Sequence, residues 1–168
     1  MSVPNPDVSL GPTAFGDFFE AHGDRVYGAL CVISGNRHDA EELTQDAFVR
    51  VWERWDRVQG LEDPVGYLYR TAMNAYRRSF RRRALARRLD SDPPREGDAY
   101  EAADARSIVW RGLQRLSPRQ RAALVLTELL GYSSEEAGRI LGVKPVTARV
   151  LSSQGRAAMR RAVGEPDV

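Results

Sequence analysis

From Ser133 to Arg161 the chain reads S-S-E-E-A-G-R-I-L-G-V-K-P-V-T-A-R-V-L-S-S-Q-G-R-A-A-M-R-R, and this run limits the fold more than any other. Ser133 can cap a helix, and Glu136 three residues later completes a capping box. Leu141-Gly142 ends that helix, with glycine where a left-handed residue is needed. Pro145 restarts the chain in a first helical turn, where its missing N–H costs nothing. Gly138 and Gly142 let the two helices approach, and Ala148 is the small apolar residue that would face them. Two capped helices, a tight turn and a basic second helix form the pattern of a helix-turn-helix that reads duplex DNA. A generic helical hairpin shares the caps but rarely this spacing and charge.

The rest of the sequence bounds the setting. No apolar run approaches the ~20 residues that cross a bilayer, so no membrane insertion is expected. Residues 1–13 hold Pro4, Pro6 and Pro12 and no basic stretch, and read as a disordered tail, not a signal peptide. Residues 164–168 read as a second short tail. Cys31 is the only cysteine, which excludes an internal disulfide and suits a buried thiol in a reducing cytoplasm.

A net charge of +2 conceals segregation. Residues 14–66 carry eleven acids against five arginines, and residues 67–88 carry eight arginines and no acid. Residues 89–104 hold six acids and one arginine, and residues 105–168 eleven bases and five acids. The alternation predicts two basic nucleic-acid-facing surfaces separated by an acidic spacer, behind an acidic protein-facing surface.

Hydrophobic periodicity gives helices and no convincing strand, hence an all-α fold of two small helical domains. The first helix, about 14–33, puts Phe15, Phe18, Phe19, Val26, Tyr27 and Leu30 on one stripe. The second, about 38–56, carries Leu43, Ala47, Phe48, Val51, Trp52 and Trp55 on a wide apolar face. Asp63-Pro64 starts a third, running to about Arg88 with Leu68, Ala72, Tyr76 and Phe80 inward. Asp90 to Asp98, rich in acid, proline and glycine, marks a flexible acidic linker over 89–104 between domains at 14–88 and 105–163. Beyond it, Ile108, Val109, Leu113 and Leu116 mark a helix that ends at Ser117-Pro118. Another follows, with Ala122, Val125, Leu126, Leu129 and Leu130 as core.

Three side-chain constellations carry chemistry. Asp39, Glu42 and Asp46 recur at three- and four-residue spacing, so they share a helix face: a docking surface for a basic partner, or an ordinary solvated face. Arg77, Arg78, Arg81, Arg82 and Arg83 have no acid within their helix and would repel one another unless a polyanion relieves them. Trp52, Trp55, Tyr67, Tyr69 and Tyr76 lie nearby, and rings among guanidinium groups suit single-strand capture. Trp52 and Tyr76 read as core, and the other three stay open. His22 and His38 show no partner one turn away with ligand chemistry, and there is no cysteine pair, so no metal, cofactor or catalytic site is expected.

Together these segments resemble the extracytoplasmic-function sigma factors of bacterial RNA polymerase, over essentially residues 14–163. D-A-E-E-L-T-Q-D-A-F-V-R-V-W from Asp39 to Trp52 is similar to the family's polymerase-docking helix. Y-L-Y-R-T-A-M-N-A-Y-R-R from Tyr67 to Arg78 is similar to its promoter-melting helix. L-S-P-R-Q-R-A-A-L-V-L from Leu116 to Leu126 is similar to the start of its duplex-binding domain. The resemblance implies an alternative sigma factor, not an enzyme, with domains corresponding to sigma regions 2 and 4. Asp39, Glu42, Gln45 and Asp46 would face the polymerase β′ clamp helices, with the β flap as a further contact. Arg57, Asn74, Arg77, Arg78, Arg81 and Arg82 would hold the −10 element. Lys144, Pro145, Thr147, Arg149, Ser152 and Ser153 would serve the −35 element.

Promoter DNA, core polymerase and a separate anti-sigma factor are the implied partners, in the cytoplasm at the nucleoid. The chain ends soon after the recognition helix, which leaves regulation to another protein. One departure bears on specificity. After Thr147 the family commonly reads V-R-S-R-L-S-R-A-R, whereas this chain reads A-R-V-L-S-S-Q-G-R, with Leu151 and Gln154 at two basic positions. Contact at the −35 element is therefore expected to be weaker or different. A sigma-like regulator that needs a co-activator is one alternative, and a helical protein–protein adaptor is the other.

Overall fold

The computed structural model describes residues 12–89 and 108–164. The expected tails and most of the acidic linker lie outside the described residues. Eight α-helices and no strand occur among the described residues, in agreement with the expected all-α class.

The first half is built by α1 (Pro12–Ser34), α2 (Arg37–Trp52), a single turn α3 (Trp55–Val58) and α4 (Pro64–Leu89). Gly35, at φ +73°, turns the chain between α1 and α2, and the Asn36 side chain accepts from the Asp39 N–H to cap α2. Asp63 caps α4 in the same way, its carboxylate 2.8 Å from the Gly66 nitrogen. Val26, Leu30 and Ile33 of α1 meet Leu43, Ala47 and Val51 of α2 and Leu68, Ala72 and Met73 of α4, all buried. An aromatic group closes the other end, with Trp55 5.4 Å from Phe15 and 5.0 Å from Phe18 between ring centroids. Trp55 is therefore packed.

Trp52 is not: expected in the core, it is 59% exposed. The helix stops at Trp52 and a turn at Glu53-Arg54 re-aims the chain, so Trp55 takes the inward place on α3 that continuous periodicity would have shared between them. Phe80, also expected inward, stands at the edge of the fold and is half exposed.

The second half contains α5 (Ile108–Arg115), α6 (Pro118–Leu124), α7 (Ser134–Leu141) and α8 (Pro145–Val163). Capping boxes at Ser117–Gln120 and Ser133–Glu136 start α6 and α7. After Leu124 the backbone widens into a π-helical turn, Val125–Leu129. That turn uses more residues per revolution than an α-helix, so Leu129, expected in the core, rotates out to 60% exposure. Ile108 and Val109 are also half exposed.

The helix-turn-helix is closed by backbone contact. Gly142 takes the left-handed conformation at φ +66°, and the Val143 N–H donates to the Gly138 carbonyl over 2.9 Å. A Cβ on Gly138 would lie 2.9 Å from the Val143 carbonyl oxygen and 3.3 Å from the Pro145 nitrogen. Ala148 is fully buried beside them, as expected.

One apolar core runs through both halves. Tyr69 of α4 meets Tyr132 edge-on, with ring centroids 5.9 Å apart. The Arg77 guanidinium lies over Gly142. At the end of α1, Gly35 leaves room for Gln114 and Arg121, whose side chains bond to each other at 2.8 Å. Gly138→Ala is expected to force the α7–α8 turn open at a cost of about 1–3 kcal/mol. Thermal melting should show a fall of several degrees with helical content retained below the transition, and an unchanged melting temperature would contradict the close approach.

Candidate nucleic-acid and protein interfaces

Three surfaces hold the residues singled out in the sequence. On α2, Glu42 and Gln45 are exposed and Asp46 is half exposed, so these three share an open acidic face. Asp46 pairs with Arg50 one turn on at 3.0 Å, and His38 Nε2 lies 3.4 Å from Glu42 Oε1. That second pair corrects the expectation that His38 has no partner at this spacing. Both are surface pairs of small energetic weight, so the face stays available.

Asp39 does not belong to that face. It is buried at 9% exposure and is gripped by both terminal nitrogens of Arg83 from α4. The hydrogen bond to Asp39 raises the Arg83 pKa above its ordinary value. Asp39 lies in the first turn of α2, where the helix leans onto α4; Glu42 and Asp46 are turned outward. The acidic surface extends instead onto α1: Glu20 and Asp24 line a groove of about 400 Å³ with Phe19, Glu41 and Gln45. Sequence reasoning missed α1 because its acids fall between the apolar positions of a helix read only for its buried stripe.

On α4, Asn74, Arg77, Arg78 and Arg81 line one open cleft of about 320 Å³, with no acid among them. Arg77 donates to Asn74 Oδ1 at 2.6 Å. Burial, then the neighbouring charges of Arg81, Arg119 and Arg70, lower the Arg77 pKa. Arg82 and Arg57 are exposed but do not line the cleft, Arg57 belonging to α3. The rings divide differently from the sequence reading. Tyr69 is buried, Tyr67 and Trp55 are partly buried, and the open indole is that of Trp52.

At α8, the N-cap Lys144 and the helix residues Pro145, Arg149 and Ser153 are exposed, and Thr147 is half-buried. Ser152 is not at the surface: it is 3% exposed, and its hydroxyl is 2.7 Å from that of Thr127 in the π-helical turn. Placed four residues after buried Ala148, it faces inward by helical periodicity. Gln154 bonds to Gln120 at 3.2 Å. Leu151 turns away from the exposed face and lines a cavity of about 490 Å³ between the halves, with Met73, Tyr76, Leu141 and Val143. Arg77, Arg81 and Arg119 also line that cavity, without an acid. Among the described residues no cluster could hold a metal ion, and no helix is long and apolar enough to cross a membrane.

The comparisons with known proteins fall on the same two halves. The profile of sigma-70 region 2 matches residues 18–86, and that of sigma-70 region 4 matches residues 106–159. The ECF RNA polymerase sigma factor SigE of Mycolicibacterium smegmatis is 35% identical over 150 residues, covering 83% of this chain and 57% of that one. RNA polymerase sigma factor CarQ of Myxococcus xanthus is 32% identical over 160 residues, covering 90% of each. Among solved structures, the sigma factor RpoE in complex with the anti-sigma factor NepR, from Bartonella quintana, has the same fold. Its TM-score is 0.76 at 20% identity, covering 90% of this chain and 98% of that one.

The three arginines around the inter-half cavity give a test of its packing. Leu151→Arg would add a fourth charge beside them and is expected to lower the melting temperature by several degrees, through about 1–3 kcal/mol of lost packing and uncompensated charge. Solution scattering should show a larger radius of gyration. Leu151→Met, which conserves volume, should leave both values unchanged. Equal behaviour of the two variants would place Leu151 outside the seam.

Proposed function

This chain belongs to the extracytoplasmic-function sigma factors of the sigma-70 family, and we propose that it binds core RNA polymerase, recognises a two-part promoter and helps to open the DNA. The observation that carries this is the division of two arginine-rich faces between the halves: the α4 cleft, which no acid lines, and α8, whose own residues include no acid and of whose arginines Arg156 pairs with Glu128. One suits an unpaired strand and the other a duplex groove. Catalysis belongs to the polymerase. The outward acids of α2, Glu42 and Asp46 with Gln45, supply a surface for basic helices of the polymerase clamp, and Asp39 supports that face from within through Arg83. A partner described as an anti-sigma factor on a neighbour of the same fold makes such a protein the expected regulator here.

Promoter contact requires the halves to separate. Elements centred about 25 base pairs apart lie roughly 80 Å apart along B-DNA. A packed chain of 168 residues has a radius of gyration of about 15 Å, hence a diameter near ~40 Å. The 18 residues between Leu89 and Ile108 can reach at most about 60 Å, enough to hold the halves on both elements once they part. Polymerase and promoter shift the chain toward that open form only through their better fit to it.

The test of the whole reading is transcription by purified core polymerase on a pool of genomic DNA with and without this chain, with the starts sequenced. New starts that share a two-part upstream pattern support it, and identical start sets overturn it.

Glu42→Arg with Asp46→Arg should leave helical content intact and weaken binding to core polymerase about tenfold or more, because like charge replaces attraction at the interface. Unchanged affinity would remove α2 from the docking role. Arg78→Ala with Arg81→Ala should reduce open-complex formation more than polymerase binding, and a pre-melted promoter should restore part of the loss. Equal loss on duplex and pre-melted templates would make the α4 cleft a general phosphate anchor.

A further inference from the structure

We propose that Val146 and Val150 make this chain select thymine in the upstream promoter element, by covering the C5-methyl groups of bases beside the one that Arg149 contacts. The inference rests on the proposed duplex-reading role of α8. Along that helix, Ala148, Ser152 and Gly155 are buried against the rest of the half. The opposite stripe, at the spacing of helical neighbours, is Val146, Arg149, Val150 and Ser153, all exposed.

The two valines are 56% and 48% exposed. A single exposed valine means little. Two of them at i and i+4, astride an arginine in the first two turns, form an apolar surface at the end of a recognition helix that enters the major groove.

The charge around them favours nucleic acid over an apolar protein partner. Pro145–Val163 contains Arg149, Arg156, Arg160 and Arg161 and no acid, and Lys144 precedes it. Valine brings no hydrogen-bonding atom to the groove, where guanine, adenine and cytosine present polar edges. Covering those edges with an isopropyl group would leave donors or acceptors without water. Thymine alone presents an apolar group there, the C5-methyl. A β-branched side chain on a helix is held near one rotamer, so little freedom is lost when it docks.

The test uses core polymerase carrying the full chain and a duplex pool randomised over the upstream element, copied once with thymidine and once with deoxyuridine. The wild-type chain should enrich thymine at one or two positions flanking a guanine whose selection is lost in Arg149→Ala. In single duplexes, each thymine-to-uracil change at those positions should weaken binding about fourfold, the effect of uncovering one methyl group. Val146→Ala with Val150→Ala should bind the two forms equally and keep the guanine preference. Alanine at exposed helical sites preserves the helix, which circular dichroism checks.

Equal wild-type affinity for thymine and uracil at every selected position overturns the inference while the duplex-reading role stands. So does a double variant that still discriminates. A wild-type chain that enriches no sequence from either pool overturns the duplex-reading role itself, and the inference with it.

Discussion

The arrangement depends on one seam shared by two halves, neither large enough to bury a generous core alone. Tyr69, Met73 and Tyr76 of α4 supply one side, and Tyr132, Leu141, Val143 and Leu151 the other. Against that apolar gain stand costs concentrated at the same place. Arg77, Arg81 and Arg119 converge without an acid. The Tyr69 hydroxyl and Arg121 Nε are buried with no hydrogen-bond partner among the described residues, and a buried group left so costs about 1–3 kcal/mol. Burial raises the Tyr132 phenol to about 12, ahead of smaller effects of nearby charges, and lowers the Arg121 pKa. The seam therefore holds by packing and is opposed by electrostatics.

That opposition gives the surfaces an order of availability. The acidic face of α2 and the exposed face of α8 are open while the halves are packed. The α4 cleft is open too, but Arg77 within it lies over Gly142 of the helix-turn-helix and is drawn to Asn74. On the proposed function, a polymerase engages the chain before Arg77 is released to the unpaired strand. In that proposed role, phosphate would offer Arg77 and Arg81 the counter-charge that the seam denies them, and strand capture and separation of the halves would favour each other.

What the sequence disclosed and what it hid have a common physical basis. Caps, turns and glycines act locally, so Ser133, Glu136, Gly142 and Pro145 could be placed without knowing the fold. The arginine run on α4 was legible because no acid within its helix could pair with it, but Arg83, counted in that run, is held by Asp39 of α2. Orientation to within one residue was not legible. Asp39 belongs to the same acidic spacing as Glu42 and Asp46, yet its partner Arg83 is 44 residues away. Ser152 sits among recognition-helix residues, yet Thr127 takes its hydroxyl inward. Leu129 and Trp52 were assigned by uninterrupted 3.6-residue periodicity, which a π-helical turn and a helix break respectively interrupt. Each miss is a tertiary contact or a change of helical phase that no local pattern encodes.

The same one-residue resolution changes the meaning of this chain's departure from its family's pattern. Read as a string, A-R-V-L after Thr147 suggests a recognition helix that has lost affinity by trading a base for Leu151. On α8, successive side chains are turned about 100° apart, and Val150 and Leu151 therefore serve different surfaces. Leu151 lines the cavity between the halves with Met73 and Tyr76, where a charge would join three arginines. Val150 stays outside beside Arg149. On the proposed role of α8, the change is a transfer: attraction for phosphate is given up, an apolar side chain is placed at the cavity between the halves, and the exposed side gains Val150. A chain altered in this way would hold its closed form more firmly and bind DNA less by charge alone, so that base identity carries more of its promoter choice.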